Sequence, residues 1–521
     1  SPSPPVLPSV LPLLPPLSLP PSNVLPFPPL GPSGQSRPLA PSRRRRRRSP
    51  PVLVAPSPMS LGVCSSPWAG IAFSNGPRWH TLRTLTMGAL KDMGLGTRNI
   101  EERIVEEAAA LCNELGQNRG APFNPRQLLC NAVSNVICAV VFGQRYSYED
   151  PDFKTLLDLL NDNFKLISSQ WGQMYNMFPS VMDWVPGPHQ RIFHNFELLR
   201  AFIYDHIWKH QKSRKSGEPR DFVDCFLDQI EKEKQDPWSH YYMDSLVMTT
   251  HNLFFGGTET TSNTLRYGLL ILLKYPEVTK KVQEEIDRVV GRDRAPRLED
   301  RDHLPYTNAV VHEIQRLVSV LPMGLPRAVT QDTHFRGCFL PKGTHIIPLF
   351  VSAYRDSIQF KDPQCFDPTN FLDEKGAFRA NKAFMPFATG KRMCLGAGLA
   401  RMEIFLFLTT ILQRFKLTPM EKPEDIDLTP QHCSSQATGS HPTKARCGWV
   451  STELLPRGFP LLPLLAICSC SHPHPKRHLW IAYWGRGGLT GGRVDKSMKK
   501  EAGSEVNFIW GWAASLQPRL R

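Results

Sequence analysis

The sequence predicts a mainly α-helical fold carrying small β-sheets. Three observations predict it. From Thr97 to Phe415 most apolar residues recur at helical spacing. The period shifts to two in only two short stretches, Ala328–Gly337 and Thr344–Phe350. At 41% hydrophobic residues over 521 positions, the chain can fill a large core.

Charge separates the middle from the flanks. Residues 1–69 carry seven Arg and no acidic residue, and residues 432–521 carry twelve Lys/Arg against four Asp/Glu. Residues 70–431 hold 43 of each sign, so the net charge of +15 belongs to the flanks and says little about what the middle binds. Twelve scattered cysteines without a paired framework fit a reducing compartment. No apolar run reaches the ~18 residues of a membrane helix.

In order, residues 1–60 are about one-third proline and run into Arg43–Arg48, which reads as polyproline II or a solvated basic stretch. Order is expected from Gly70. Trp79-x-x-x-Arg83 shares one helical face. Helices are expected over 97–115, 125–142, 151–167, 187–213 and 221–232, with Val185-Pro-Gly-Pro188 breaking the third from the fourth. The longest helical pattern, Tyr242 to Tyr275, is interrupted at Gly256-Gly-Thr-Glu-Thr-Thr261. Further helices span 276–290, 306–318 and 399–415, the last two separated by the strands and by a loop-rich meander over 356–383. The tail holds Cys433, Cys447, Cys468, Cys470, His472 and His474, whose spacing fits no standard zinc site.

Chemistry concentrates in Phe387-x-x-Gly390-x-Arg392-x-Cys394-x-Gly396, just before a helical run. A cysteine at a helix N-terminus meets free N–H groups and the dipole, which lower its pKa. Flanking glycines allow close approach to a flat ligand, and Arg392 offers a charge for an anionic group such as a propionate. This pattern describes a thiolate beneath a planar iron cofactor. In the long helix, threonine hydroxyls can bond the i−4 carbonyl and open a groove for water, with Glu259 as a nearby proton source. Glu313-x-x-Arg316 is an (i, i+3) pair of a kind mostly found solvated.

Together these motifs resemble the cytochrome P-450 monooxygenases, over about Gly70 to Gln431. Phrases such as Pro305-Tyr-Thr-Asn-Ala-Val-Val-His-Glu-Ile-Gln-Arg316 resemble the second mammalian family, the microsomal xenobiotic- and steroid-oxidising enzymes, and its A, B, F and G subfamilies most. The resemblance implies haem b with Cys394 as axial ligand to iron. It places Trp79, Arg83 and Arg327 at the propionates, Thr260 at the proton-delivering water, and Glu259 as its acidic partner. It locks Glu313 and Arg316 to a third residue in the meander, where Asn370 stands in place of the usual Arg or His; Ala397 stands where the group generally has Glu. Phe254, Phe255, Leu321 and Leu325 are expected to face a pocket for a lipophilic substrate.

The implied reaction inserts one oxygen atom from O₂, using NADPH electrons from a flavoprotein reductase, with cytochrome b5 a further partner. The implied location is the cytoplasmic face of the endoplasmic reticulum, through peripheral membrane association of the 151–213 helices and basic flanks. A cytoplasmic location is the alternative, and no nucleic acid partner is expected. Both ends depart from the family, in a Pro/Arg-rich stretch over 1–69 and an unrelated tail over 432–521. The fold is therefore expected to be incomplete at both ends. Two alternative readings remain: a haem binder or misfolded variant without turnover, and an interaction protein using the Pro/Arg-rich arm.

Overall fold

The structure, a computed structural model, describes residues 53–54, 70–94, 98–119, 121–325 and 327–428. The expectations for the Arg run, the tail and its Cys/His cluster lie outside the described residues. Helices dominate: α1 Gly76–Asp92, α2 Arg98–Gln117, α3 Arg126–Val141, α4 Pro151–Ser168, α5 Gln170–Met177, α6 Pro179–Met182, α7 Gln190–Ser213, α8 Phe222–Lys232, α9 Met243–Lys274, α10 Pro276–Val289, α11 Pro305–Val318, α12 Phe350–Tyr354 and α13 Ala397–Arg414.

Local chemistry sets many of the ends. The Asp150 and Asp221 side chains cap α4 and α8 by accepting from the Phe153 and Asp224 backbone N–H groups. Pro151, Pro179, Pro276 and Pro305 open helices, where a missing N–H costs nothing. The two short helices α5 and α6 lie between the expected helices over 151–167 and 187–213, ahead of the break at Val185–Pro188, where the sequence reading places no element; Pro179 starts a new turn there.

The 32-residue α9 is the axis of the core, packed by α3, α11, α13 and α7. Its expected interruption does not occur: the helix runs through Gly256–Thr261. Thr260 Oγ1 donates to the Gly256 carbonyl at 2.7 Å, and Thr264 Oγ1 to that of Thr260 at 2.8 Å, so the hydroxyls bond along the helix without parting it. Gly257 has a packing reason, because a Cβ there would lie 2.6 Å from Ile137 Cδ1 on α3. The cost of glycine in a helix is offset by this close approach.

Two small antiparallel sheets complete the fold. One has order β1-β2-β5 (Leu53–Val54, Arg327–Val329, His345–Ile346), pairing Leu53 with Val329 and Arg327 with Ile346. Leu53 and Val54 fall in the stretch read from sequence as unstructured, and they form a two-residue strand there. The other sheet is the hairpin of β3 Thr333–Phe335 and β4 Cys338–Leu340. Its two-residue turn, Arg336 (φ 48°) and Gly337 (φ 84°), has the left-handed backbone a type I′ turn needs. The expected strand over 344–350 shrinks to two residues, because α12 begins at Phe350.

Candidate functional site

The cysteine loop is held by its own backbone. Cys394 N–H donates to the Phe387 carbonyl at 2.9 Å and Met393 N–H to that of Gly390 at 3.1 Å. Ala388 (φ 59°) and Gly390 (φ 79°) supply the left-handed steps that reverse the chain. Gly396 then caps α13, which places Cys394 at the N-terminal approach of that helix.

The Cys394 side chain is accessible to solvent from one side, with protein crowding the others. That crowding pushes its thiol above the ordinary value, while a Gly396 N–H bond and the charges of Arg83 and Arg401 pull it down. Desolvation wins, which corrects the expectation of a lowered thiol. A cation on the sulfur would reverse the balance, since a coordinating thiol is deprotonated outright.

Three guanidiniums converge beside the loop. Arg83 Nη2 donates to the Met393 carbonyl at 2.7 Å. Arg392 Nη2 donates to the Ser74 carbonyl at 2.7 Å and to Asn75 Oδ1 at 3.0 Å, and its guanidinium lies 4.2 Å from the centre of the buried Trp79 ring. Arg83 sits over the same ring at 5.7 Å, so the predicted Trp79–Arg83 face forms. None of Arg83, Arg327 and Arg392 has an ion-pair partner among the described residues, and Arg392 Nε is buried without a hydrogen bond. Burial together with the neighbouring charges of Arg327 and Arg83 brings Arg392 down to about 10. Like charges gathered this way call for an anionic guest.

On α9, Glu259 is 4% exposed and faces α3 and its surroundings, with Oε1 unpartnered; burial raises its carboxyl above the usual range, against the pull of Arg126, Arg266 and Lys165. Thr260 is half-buried, with its hydroxyl committed to the Gly256 carbonyl as donor and its lone pairs left to accept.

Phe254 corrects the pocket expectation. It is 1% exposed and packs against Phe142 at 5.4 Å, on the face of α9 that meets the helical core. Phe255, one position on, is partly buried and stacks on Phe164 of α4 at 4.0 Å. Leu321 and Leu325 are about 40% exposed, with Met323 between them, and form an open apolar edge.

The Glu313–Arg316 pair is fully buried, not solvated. Arg316 uses all five N–H donors: two on Glu313 at 2.7 Å each, two on the carbonyls of Tyr354 and Pro363, and one on that of Cys365. Glu313 Oε1 also accepts from the Asp367 N–H at 2.9 Å and from Asn370 Nδ2 at 3.4 Å. Asn370 does reach the pair, by one long hydrogen bond.

Sequence reasoning passed over Arg401, whose guanidinium lies 4.9 Å from the Phe387 ring centre. It also passed over Glu403, whose buried carboxyl bonds Thr261 and is pushed well above its usual range by desolvation.

The residues present fit a planar, apolar, dianionic iron cofactor. The donor set is one soft thiol; the cationic trio lacks carboxylates; and a Cβ built at Gly390 or Gly396 would meet nothing within 4 Å. Cys394 would take the iron, and Arg83, Arg327 and Arg392 the acid groups.

Residues 64–444 match the family model for cytochrome P450. The chain is 55% identical over 361 residues to cytochrome P450 2F2 of Mus musculus, covering 69% of this chain and 74% of that one. It is 54% identical over 361 residues to cytochrome P450 2F5 of Gorilla gorilla gorilla, with the same coverage. To cytochrome P450 2G1 of Rattus norvegicus it is 50% identical over 359 residues, covering 69% and 73%.

Proposed function

Since the chain belongs to the cytochrome P450 family, a family of haem monooxygenases, we propose that it oxygenates lipophilic small molecules of xenobiotic, steroid or fatty-acid type. The proposed electron source is NADPH through a flavoprotein reductase, with cytochrome b5 as a second donor. The haem, when bound, supplies oxygen activation and transfer to carbon.

The chain's own residues set the conditions. Cys394 would hold the iron, and the Gly396 N–H steadies its sulfur. Arg83, Arg327 and Arg392 anchor the acid edge, with Trp79 beneath two of them. The Thr260 hydroxyl, held by the Gly256 carbonyl, presents lone pairs to a water, and Glu259 is the buried acid that resupplies the proton. Glu313 and Arg316 fix the meander that precedes the cysteine loop. Phe255, Leu321 and Leu325 offer apolar surface to the substrate.

The observation that carries this reading is the unpaired arginine trio gathered beside Cys394. The proposed division of the chain is a monooxygenase domain over 70–431, flanked by arms that take no part in chemistry. The exposed apolar side chains of α5, α6, α7 and the segments between them, among them Trp171, Phe178, Trp184 and Trp208, favour peripheral membrane contact. Among the described residues no helix is long and apolar enough to cross a membrane. The proposed site of action is the endoplasmic reticulum surface.

Reconstitution with reductase and NADPH tests the function. Oxygenated product from a lipophilic probe is expected, and Thr260→Ala should divert electron flow to peroxide. Haem incorporation with no product from any probe would favour the haem binder without turnover.

A further inference from the structure

A cavity of about 210 Å³ lies between α11, α13 and the meander, and of its lining residues only Arg401 also borders the cysteine loop, through Phe387. Its floor is apolar: Val311, Ile404 and Phe405 are buried there, with Phe378 at the side. Its polar lining is unusual for a helix packed this closely. Asn308, His312 and Gln315 fall at i, i+4 and i+7 on one face of α11, so all three line the same wall.

Those groups border the cavity and are not sealed inside the protein. Asn308 is 7% exposed, yet its carboxamide has no hydrogen-bond partner among the described residues, and neither does that of Gln315. His312 Nδ1 lies 2.8 Å from the Asn308 carbonyl, to which it must donate, leaving Nε2 as an acceptor. Burial holds this imidazole down at about 4, so it is neutral at pH 7. The charged groups that act on it are Arg301 and Arg401, and both lower it further. Both also line the cavity, and neither pairs with a carboxylate among the described residues. No acidic residue lines it.

We propose that this cavity is a binding site for a small amphipathic carboxylate, an aryl or short-alkyl acid. The guanidiniums of Arg301 and Arg401 would receive the carboxylate, the carboxamides of Asn308 and Gln315 would complete its hydrogen bonds, and the tail would lie on Val311, Ile404 and Phe405. The volume suits one ring or a short chain, below the roughly 300 Å³ at which drug-sized pockets begin. The two cations explain the choice of a carboxylate over a neutral guest. The apolar floor explains the choice over phosphate, which would leave that surface uncovered.

The test uses the full haem-loaded chain with benzoate, benzamide and inorganic phosphate as probes, followed by the imidazole resonances of His312 and the visible spectrum. Benzoate should shift His312 saturably and leave the Soret band in place, with benzamide and phosphate at least roughly tenfold weaker, the weight of a charge-assisted hydrogen bond. Arg301→Gln, at the rim, should weaken benzoate about tenfold, and Gln315→Trp should block it. Equal binding of benzamide would reduce the site to an apolar hole, and equal binding of phosphate to a generic cationic patch. A Soret change without a His312 shift would place the probe at Cys394. Each of those three results overturns the proposal.

Discussion

Two groups of arginine in this molecule have opposite environments. Arg316 is 1% exposed, and its five donors meet one carboxylate and three carbonyls. Arg83, Arg327 and Arg392 are only partly buried, crowd one another, and meet no carboxylate among the described residues. The first arrangement is closed: every donor is used and the charge is cancelled, so it serves the fold. The second is open, and its charge is available to something else. Satisfaction, not residue type, separates a structural arginine from a binding one.

Breaking the closed group should have the largest effect. Arg316→Ala leaves the Glu313 carboxylate buried and uncompensated, which costs about 3–5 kcal/mol. Urea denaturation should show a loss of that size, and Arg316→Lys should recover little, because an ammonium cannot reproduce the fork. The open group should behave differently. Arg392→Gln removes one of three like charges along with the bonds to Ser74 and Asn75, so it should cost far less stability than Arg316→Ala while haem titration shows weaker uptake. Equal destabilisation by the two substitutions would erase the contrast.

Glu403 sharpens it from the acid side. Unlike Glu313 it has no guanidinium, only Thr261, and burial raises its carboxyl well above the ordinary 4.5. A raised folded value means that the folded state holds the proton more tightly. Its contribution is therefore complete below pH 4.5 and is lost as pH rises through the folded value. Glu403→Gln should flatten the fall in stability above pH 4.5, as read by denaturation across pH; an unchanged slope would show the carboxyl to be ionised in the fold. The smallest effect is expected at Asn370→Ala, about 0.5–1.5 kcal/mol, because one hydrogen bond of 3.4 Å is lost.

The contrast between the arginines was only half legible in the sequence. Helical spacing placed most helices within a few residues, because that period follows from which side chains face the core. The cysteine loop was legible because its glycines, arginine and thiol are consecutive in the chain. The closure around Arg316 was not, since its carbonyl partners, one at the end of α12 and two in the meander, lie 38 to 49 positions away. The continuity of α9 escaped for a similar reason: Gly257 reads as a helix breaker until Ile137 of α3 is seen against it. Phe254 and Phe255 differ by one position, about 100° around a helix, and only packing decides which of them faces the core.

The central claim is that the loop around Cys394 and the arginines beside it hold a haem through a thiolate. The carbon monoxide difference spectrum of the dithionite-reduced protein tests it most directly, with Cys394→Ser measured beside it. A thiolate-type Soret band that the serine variant lacks is the predicted result. A band of the displaced-thiolate type in the parent protein, or the same band in both proteins, would contradict it.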